Sequence, residues 1–277
     1  MSIILDGKKV SDVIEKTLRR KIKKLSGKLK LSIILVGENS ASLKYVEKKQ
    51  EKCHEIGIKC DVVKLNPDVS EEALLFKIKE LNLSKSTTGI LIQLPLPSHI
   101  KARKVLDFID VKKDVDGLSS YYLMKILFND EEIIPATPKG IISLLDEYKI
   151  GLRGKNVCVV GFSDIVGKPL VMMCLNRGAT VSVAHVLTRD LKLHTSNADI
   201  IMTATGTPGL IKKNMIKEGA VVVDVGISKL GGRIVGDVDF ENAKSRCSYI
   251  TPVPGGVGPM TVISLIENLI LLSKQIK

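Results

Sequence analysis

Aromatic residues are scarce in this chain: five tyrosines, five phenylalanines and no tryptophan among 277 residues. A protein that holds nucleic acid by stacking bases needs more of them. The net charge of +12 is therefore read as a solvated basic surface with a bias toward anionic small substrates, and no nucleic-acid partner is expected. The lysines fall mostly on the polar faces of helical patterns, as between Lys16 and Lys30. Cysteine is sparse too. Cys53, Cys60, Cys158, Cys174 and Cys247 are odd in number and contain no C-x-x-C pair, which speaks against a disulfide framework or a thiolate metal site. They read as small core hydrophobes. His54, His99, His185 and His194 include no H-E-x-x-H and no close carboxylate partner, so no metal is expected. No apolar run reaches the ~18 residues that span a bilayer. The opening Met1-Ser-Ile-Ile-Leu-Asp6 is too short and too soon acidic for a signal peptide. The expectation is a cytoplasmic protein with no membrane partner. Internal repeats and low-complexity segments are absent as well.

Hydrophobic residues at 44% and charged residues at 26% describe a globular chain, and the length favours two domains. Val10, Val13, Ile14, Leu18, Ile22 and Leu25 have helical spacing. A buried strand follows over Leu31–Gly37, then a helix from Ala41 to Ile56, a strand from Ile58 to Leu65, a helix from Ser70 to about Leu81 and a strand from Thr88 to Leu94. This βαβαβ alternation predicts a parallel sheet with helices on both faces. Pro95 and Pro97 cannot donate to a ladder, so they place Gln93 at the carboxyl edge of the sheet. Ligands sit at that edge in open α/β sheets. Thr137-Pro138 predicts a helix start, with Thr137 as N-cap, and a domain boundary.

A second alternation begins at Lys155. Val157 to Val160 form a β-branched run that Gly161 ends, and a helical pattern restarts near Val166. Strands at Ala179–Ala184, Ala198–Thr203 and Ala220–Val225 follow, and a last apolar helix runs from Val262 to about Ser273. A strand, a glycine turn and a helix start are what a pyrophosphate needs. Yet Gly161 and Gly167 stand six apart, with Ser163 and Asp164 where G-x-G-x-x-G puts its middle glycine. On these residues alone a β-turn-α unit without nucleotide fits as well. Tyr45 and Lys49, four apart, share one face of a helix; on spacing alone a charged face is the simpler reading, given Lys44, Lys48 and Lys52 beside them. The Tyr-x-x-x-Lys of short-chain dehydrogenases is set aside, because there it follows the glycine turn. Likewise Lys113-Asp114-Val-Asp116-Gly117 reads on spacing as an ordinary turn.

Taken together, the motifs are specific. Ser42-x-x-Tyr45-Val46-x-x-Lys49, Gly89-Ile-Leu-Ile-Gln93-Leu-Pro95-Leu-Pro97, Lys113-Asp114-Val-Asp116-Gly117, Pro135-Ala-Thr137-Pro138, Gly161-Phe-Ser163-Asp-Ile-Val-Gly167-Lys-Pro169 and Thr251-Pro-Val-Pro-Gly255-Gly-Val-Gly258-Pro-Met-Thr261 occur in this order. The chain thereby resembles, over nearly its whole length, the bifunctional methylenetetrahydrofolate dehydrogenase/cyclohydrolase family. The resemblance implies an α/β fold of two domains with a cleft between them. Residues 1–137 would form an N-terminal substrate domain, completed by a C-terminal helix at 259–277, and residues 138–258 a Rossmann-like dinucleotide-binding domain. It also implies a homodimer acting on tetrahydrofolate substrates in one-carbon metabolism, including purine biosynthesis.

The resemblance assigns roles as well. Lys49 becomes the acid/base or polarising group, Gln93 its assistant, Tyr45 a pterin-packing ring and Asp116 the anchor of the pterin amino groups. Leu94, Pro254, Gly255, Gly256 and Pro259 would complete the substrate site. Cofactor contacts would come from Gly161, Phe162, Ser163, Ile165, Val166, Gly167, Lys168, Pro169, His185, Thr205, Gly206 and Ile227. Three positions depart from the family. Phe162 stands where arginine is usual, Val186 follows His185 where serine is usual, and Ala136 replaces a cysteine. The first two remove the contacts that meet a 2′-phosphate, yet no acidic residue ends the strand Ala179–Ala184 to favour NAD. Lys168 or Arg189 could supply positive charge instead; NADP is the expected cofactor, with NAD open. Asp224, Asp237 and Asp239 read as structural. Two other readings compete: a folate- or nucleotide-binding protein that has lost one activity, and an amino-acid dehydrogenase. The second lacks its expected lysine near a carboxylate-binding glycine loop.

Overall fold

A computed structural model describes residues 2–25 and 29–275. Residues 26–28 of the lysine-rich stretch, Met1 of the leader reading and the last two residues of the expected C-terminal helix lie outside the described residues. In chain order the elements are β1 (Ile3–Ile4), α1 (Gly7–Lys24), β2 (Lys30–Val36), α2 (Ser40–Glu55), β3 (Lys59–Leu65), α3 (Glu71–Leu83), β4 (Gly89–Ile92), α4 (Ala102–Asp107), α5 (Ser120–Leu127) and α6 (Ala136–Glu147). They continue with β5 (Asn156–Val160), α7 (Gly167–Asn176), β6 (Thr180–Ala184), α8 (Leu191–Thr195), β7 (Ile200–Thr203), β8 (Val221–Asp224), β9 (Ser228–Leu230), β10 (Arg233–Val235), α9 (Phe240–Ala243), β11 (Tyr249–Ile250) and α10 (Val257–Leu272). Two compact units result. One joins residues 13–136 to 262–277; the other joins residues 1–12 to 137–261.

The unit around residues 13–136 holds a three-stranded parallel sheet in the order β3-β2-β4. β2 is buried along nearly its whole length, as a parallel strand covered on both faces must be. Ile34, Leu74, Ile78, Ile90, Val105 and Leu118 are among its core residues. The polar-apolar pattern of α1 is obeyed at Val10, Leu18 and Ile22, which are buried, but Val13 is 54% exposed. Ser70, expected as the first helical residue, is the N-cap of α3, its hydroxyl accepting from the Ala73 amide at 3.1 Å. The other end of α3 is closed by a distant residue. Lys113, buried, donates from Nζ to the carbonyls of Leu81, Asn82 and Ser84 at 3.0, 2.6 and 2.7 Å. A cation on the last carbonyls of a helix meets the negative end of its dipole. Lys113→Met is expected to lower stability by about 2 kcal/mol, the order of one or two charged hydrogen bonds. An unshifted urea midpoint would contradict that. The C-terminal half of α10 belongs to this unit: Asn268 Nδ2 donates to the Val115 and Ile134 carbonyls at 3.1 and 2.8 Å. A Cβ at Gly89 would meet Leu269 Cδ1 at 2.6 Å and Val115 Cβ at 3.1 Å, so glycine lets β4 lie close against α10.

The second unit is built on a six-stranded parallel sheet, ordered β1-β11-β8-β7-β5-β6. β9 and β10 form a separate antiparallel pair. The expected division differs here at its N-terminus. Residues 1–12 belong with residues 137–261 and not with residues 13–136, because β1 pairs with β11 and the start of α1 packs on the Thr251–Gly258 loop. The Lys8 backbone amide donates to the Gly255 carbonyl at 2.9 Å, and a Cβ at Gly7 would fall 1.8 Å from the Gly256 carbonyl oxygen. Two helix starts also differ. α6 opens at Ala136, so Thr137 lies inside the first turn and is not its cap. α10 opens at Val257, five residues earlier than Val262, because Pro259 sits in the first turn, where the missing amide costs nothing.

Candidate active site

α2 and the end of β4 bring the first cluster together. Tyr45 and Lys49 lie one turn apart on α2. Gln93 follows β4, and its amide still donates to the Ile34 carbonyl at 2.9 Å, so its side chain leaves from a fixed strand end. Lys49 Nζ donates to Gln93 Oε1 at 3.0 Å, and Gln93 Nε2 donates to the Leu94 carbonyl at 2.7 Å. The second bond settles which end of the amide faces the lysine. A neutral oxygen, and no carboxylate, is therefore the direct partner of the Lys49 amine.

Asp116 comes from the Lys113–Gly117 loop, and it is not an ordinary turn residue. Lys113 is tied to α3. Asp114, buried, accepts from the amides of Gly117 at 2.9 Å and Ser119 at 2.8 Å. Gly117 has φ +66, and a Cβ there would press on the Ile134 carbonyl carbon at 3.0 Å. Thus held, Asp116 accepts a hydrogen bond from the amide of Ala136, the first residue of α6. A carboxylate satisfying the first amide of a helix is well placed on the dipole. Burial dominates the ionisation of both charged groups: it lowers the Lys49 pKa, which the charge of Asp116 opposes. It likewise raises Asp116, which Lys49 and the Ala136 amide oppose. Both residues keep some exposed surface, so they are deep without being sealed. Burial also raises the Tyr45 phenol, leaving it a neutral ring and donor. A desolvated lysine beside a neutral acceptor gives up its proton more readily than an ordinary lysine.

The second cluster is in the other unit. β6 lies on one side of β5 and β7 on the other, so the strand order reverses at β5 while every strand stays parallel, and open α/β sheets bind ligands at such a point. Gly161 ends β5 with φ +106, and a Cβ would meet the Ala204 carbonyl oxygen at 2.5 Å. The loops after β5 and β7 are therefore in contact. Gly167 opens α7, and the amides of Val166 and Gly167 reach the Ser163 hydroxyl only at 3.3 and 3.4 Å. Such long bonds leave both donors open to a better acceptor. Phe162, Ile165 and Ile227 are 47%, 37% and 42% exposed, apolar surface that a bound dinucleotide would cover. Glycine turn, helix amides and apolar rim fit a nicotinamide dinucleotide. Pro169 is buried in the first turn of α7, while Thr205, Gly206 and His185 are exposed at the ends of β7 and β6. His185 Nδ1 accepts from the Leu187 amide at 3.2 Å. Lys168 pairs with Asp164 at 2.5 Å and lies 5.4 Å from the Phe162 ring centroid; Arg189 is exposed.

The predicted folate-wall residues Pro254, Gly255 and Gly256 fall in this unit on the loop into α10, and Pro259 in the first turn of that helix. Gly255 has φ +110, and a Cβ on Gly256 would meet the Pro252 carbonyl oxygen at 2.6 Å. Asp237 is the residue whose reach the sequence hides. Its carboxylate accepts from the Thr203 hydroxyl and the Thr205 and Thr207 amides at 2.8, 2.6 and 2.9 Å, a link across thirty or more positions that no local spacing announces. All five cysteines are buried and free. Among the described residues no group of three or more His, Cys, Asp or Glu could hold a metal, and no helix is long and apolar enough to cross a membrane.

Known proteins match along the whole chain. The tetrahydrofolate dehydrogenase/cyclohydrolase catalytic-domain family matches residues 5–116, and the NAD(P)-binding domain of the same family matches residues 135–277. The bifunctional protein FolD of Hydrogenobaculum sp. (strain Y04AAS1) is 52% identical over 274 residues, covering 98% of this chain and 99% of that one. The crystal structure of the bifunctional enzyme FolD from Campylobacter jejuni gives a TM-score of 0.96 at 46% identity, covering 99% of each chain. A FolD from Trypanosoma brucei, complexed with NADP cofactor and inhibitor, gives 0.95 at 35% identity, covering 99% of this chain and 98% of that one.

Proposed function

Because the chain belongs to the tetrahydrofolate dehydrogenase/cyclohydrolase family, we propose that it oxidises 5,10-methylenetetrahydrofolate to the 5,10-methenyl form and hydrolyses that to 10-formyltetrahydrofolate, with Lys49, Gln93, Asp116 and Tyr45 as its chemical centre. Gly161, Phe162, Ser163, Ile165, Val166, Gly167, Lys168, Pro169, His185, Thr205, Gly206 and Ile227 would hold NADP, which would supply the hydride acceptor. Oxidation needs no general base, since the two nitrogens flanking the carbon stabilise the methenyl cation; what the chain contributes is position. Hydrolysis needs proton movement. The neutral Lys49 amine takes the proton of the attacking water as oxygen bonds to the methenyl carbon. It returns a proton to the ring nitrogen as the carbon–nitrogen bond breaks, and the hydroxyl loses its own as the formyl group forms. Gln93 keeps the amine aimed without holding its charge. Asp116 pairs with the amino groups of the pterin, and Tyr45 and Leu94 pack against it.

The observation that carries this reading is the Lys49 amine, desolvated, hydrogen-bonded to an amide oxygen and facing the field of a buried carboxylate. NADP is the assigned cofactor, with Lys168 or Arg189 supplying positive charge where arginine is missing at Phe162. We also assign a homodimer in the cytoplasm, serving purine synthesis through its product. The test follows the methenyl species by absorbance, with NAD and NADP supplied in parallel. The methenyl signal is expected to rise with NADP and decay by hydrolysis. No rise with either nucleotide would remove the dehydrogenase reading, and a faster rise with NAD would reassign the cofactor.

A further inference from the structure

Two carboxylates lie buried behind the turn after β7 with no ion-pair partner among the described residues. Asp237 is 0% and Asp224 3% exposed. Burying a charge without a cation is costly unless amides replace the lost water, and here they do. Asp224 Oδ1 accepts from the Gly226 and Asp237 amides at 3.0 Å each, and its Oδ2 accepts from Val238 at 2.9 Å. Asp224 thus fixes the backbone that carries Asp237. The Asp237 carboxylate in turn holds the Thr203 hydroxyl and the amides of Thr205 and Thr207. Neither carboxylate has room to move. A Cβ on Gly226 would lie 2.0 Å from Asp237 Oδ1, and one on Gly236 would lie 2.0 Å from Asp224 Oδ2.

The loop fixed in this way is the one that touches Gly161, whose absent Cβ leaves room for the Ala204 carbonyl. We propose that Asp237 is a positioning residue for the dinucleotide: it acts through the amides of Thr205 and Thr207 to hold the loop after β7 against the Gly161 turn, and Asp224 anchors it from behind. This rests on the nucleotide being seated at Gly161. The carboxylate does not touch the dinucleotide. It takes the inward amides out of competition and sets where the loop lies, so its loss acts on cofactor affinity before it acts on folate chemistry.

The experiment is steady-state kinetics on Asp237→Asn, which keeps the size but offers one acceptor where two oxygens accept three bonds. NADP titration calorimetry and thermal unfolding accompany it. The KM for NADP is expected to rise at least about tenfold, the loss of one to two hydrogen bonds, with the rate of methenyl hydrolysis within about twofold of wild type. An unchanged KM for NADP would overturn the role. So would an equal fall in both activities with a lowered Tm, which is what mere loss of fold produces. Should Asp237→Asn not fold, Thr203→Val removes one donor at constant volume and is expected to raise the KM about threefold; no change there is equally fatal. A wild-type protein that binds neither NADP nor NAD in the calorimeter overturns the nucleotide reading itself, and this role with it.

Discussion

Lys49→Ala is expected to slow methenyltetrahydrofolate hydrolysis by about 10²–10⁴, the usual worth of a positioned acid–base group, while methylene oxidation falls far less. The asymmetry follows from the chemistry. Only hydrolysis moves protons at the reacting carbon and nitrogen, so only hydrolysis needs an amine that can be neutral. Burial lowers the Lys49 pKa, and the Gln93 oxygen accepts from the amine without adding charge. The sign of the pH dependence is then fixed: the neutral fraction grows as pH rises, so hydrolysis gains on its acid side, and this limb lies below the pH at which an ordinary lysine titrates. Lys49→Arg should not rescue, because a guanidinium stays charged throughout. Asp116→Asn should move the same limb further toward acid, since the carboxylate is the group that holds the amine's proton on. Measuring the rate from pH 5 to 9 for the three variants checks all of this. A hydrolysis rate in Lys49→Ala equal to wild type would end the assignment.

The same residues show where sequence reading succeeds. Val157 to Val160 and Leu31 to Val36 declare buried strands because parallel strands are apolar on both faces, and both are strands in the structure. Tyr45 and Lys49 share a helix face by spacing of four, which α2 bears out. What spacing cannot carry is contact across distance. Asp116 looks like a turn residue until the Ala136 amide, twenty positions on, is found donating to it. Thr137 looks like a cap by its place before Pro138, but α6 already opens at Ala136, whose amide is satisfied by Asp116 from elsewhere in the chain. β1 is two residues long; its existence depends wholly on Tyr249 and Ile250, which it meets only after folding. Asp237 was legible as structural and illegible as the support of the loop after β7, for the same reason.

Gly167→Ala is expected to reduce methylene oxidation at least about 100-fold, about 2.7 kcal/mol, and to leave methenyl hydrolysis near wild type. The added methyl would stand 2.1 Å from the Gly161 carbonyl oxygen, 2.8 Å from Phe162 Cα and 2.9 Å from the Gly161 carbonyl carbon. All three are backbone atoms, so no rotamer change relieves the overlap and the turn itself must open. Opening it pulls the first amides of α7 away from the end of β5, where the nucleotide-binding reading needs them. Lys49, Gln93 and Asp116, proposed to act on folate, belong to the other compact unit, which is why hydrolysis should survive. Gly161→Ala should behave alike, through a φ of +106 and the Ala204 carbonyl oxygen at 2.5 Å. Together with Lys49→Ala these variants would separate the two activities in opposite directions. Retention of wild-type NADP affinity in Gly167→Ala would show that the cofactor is seated elsewhere.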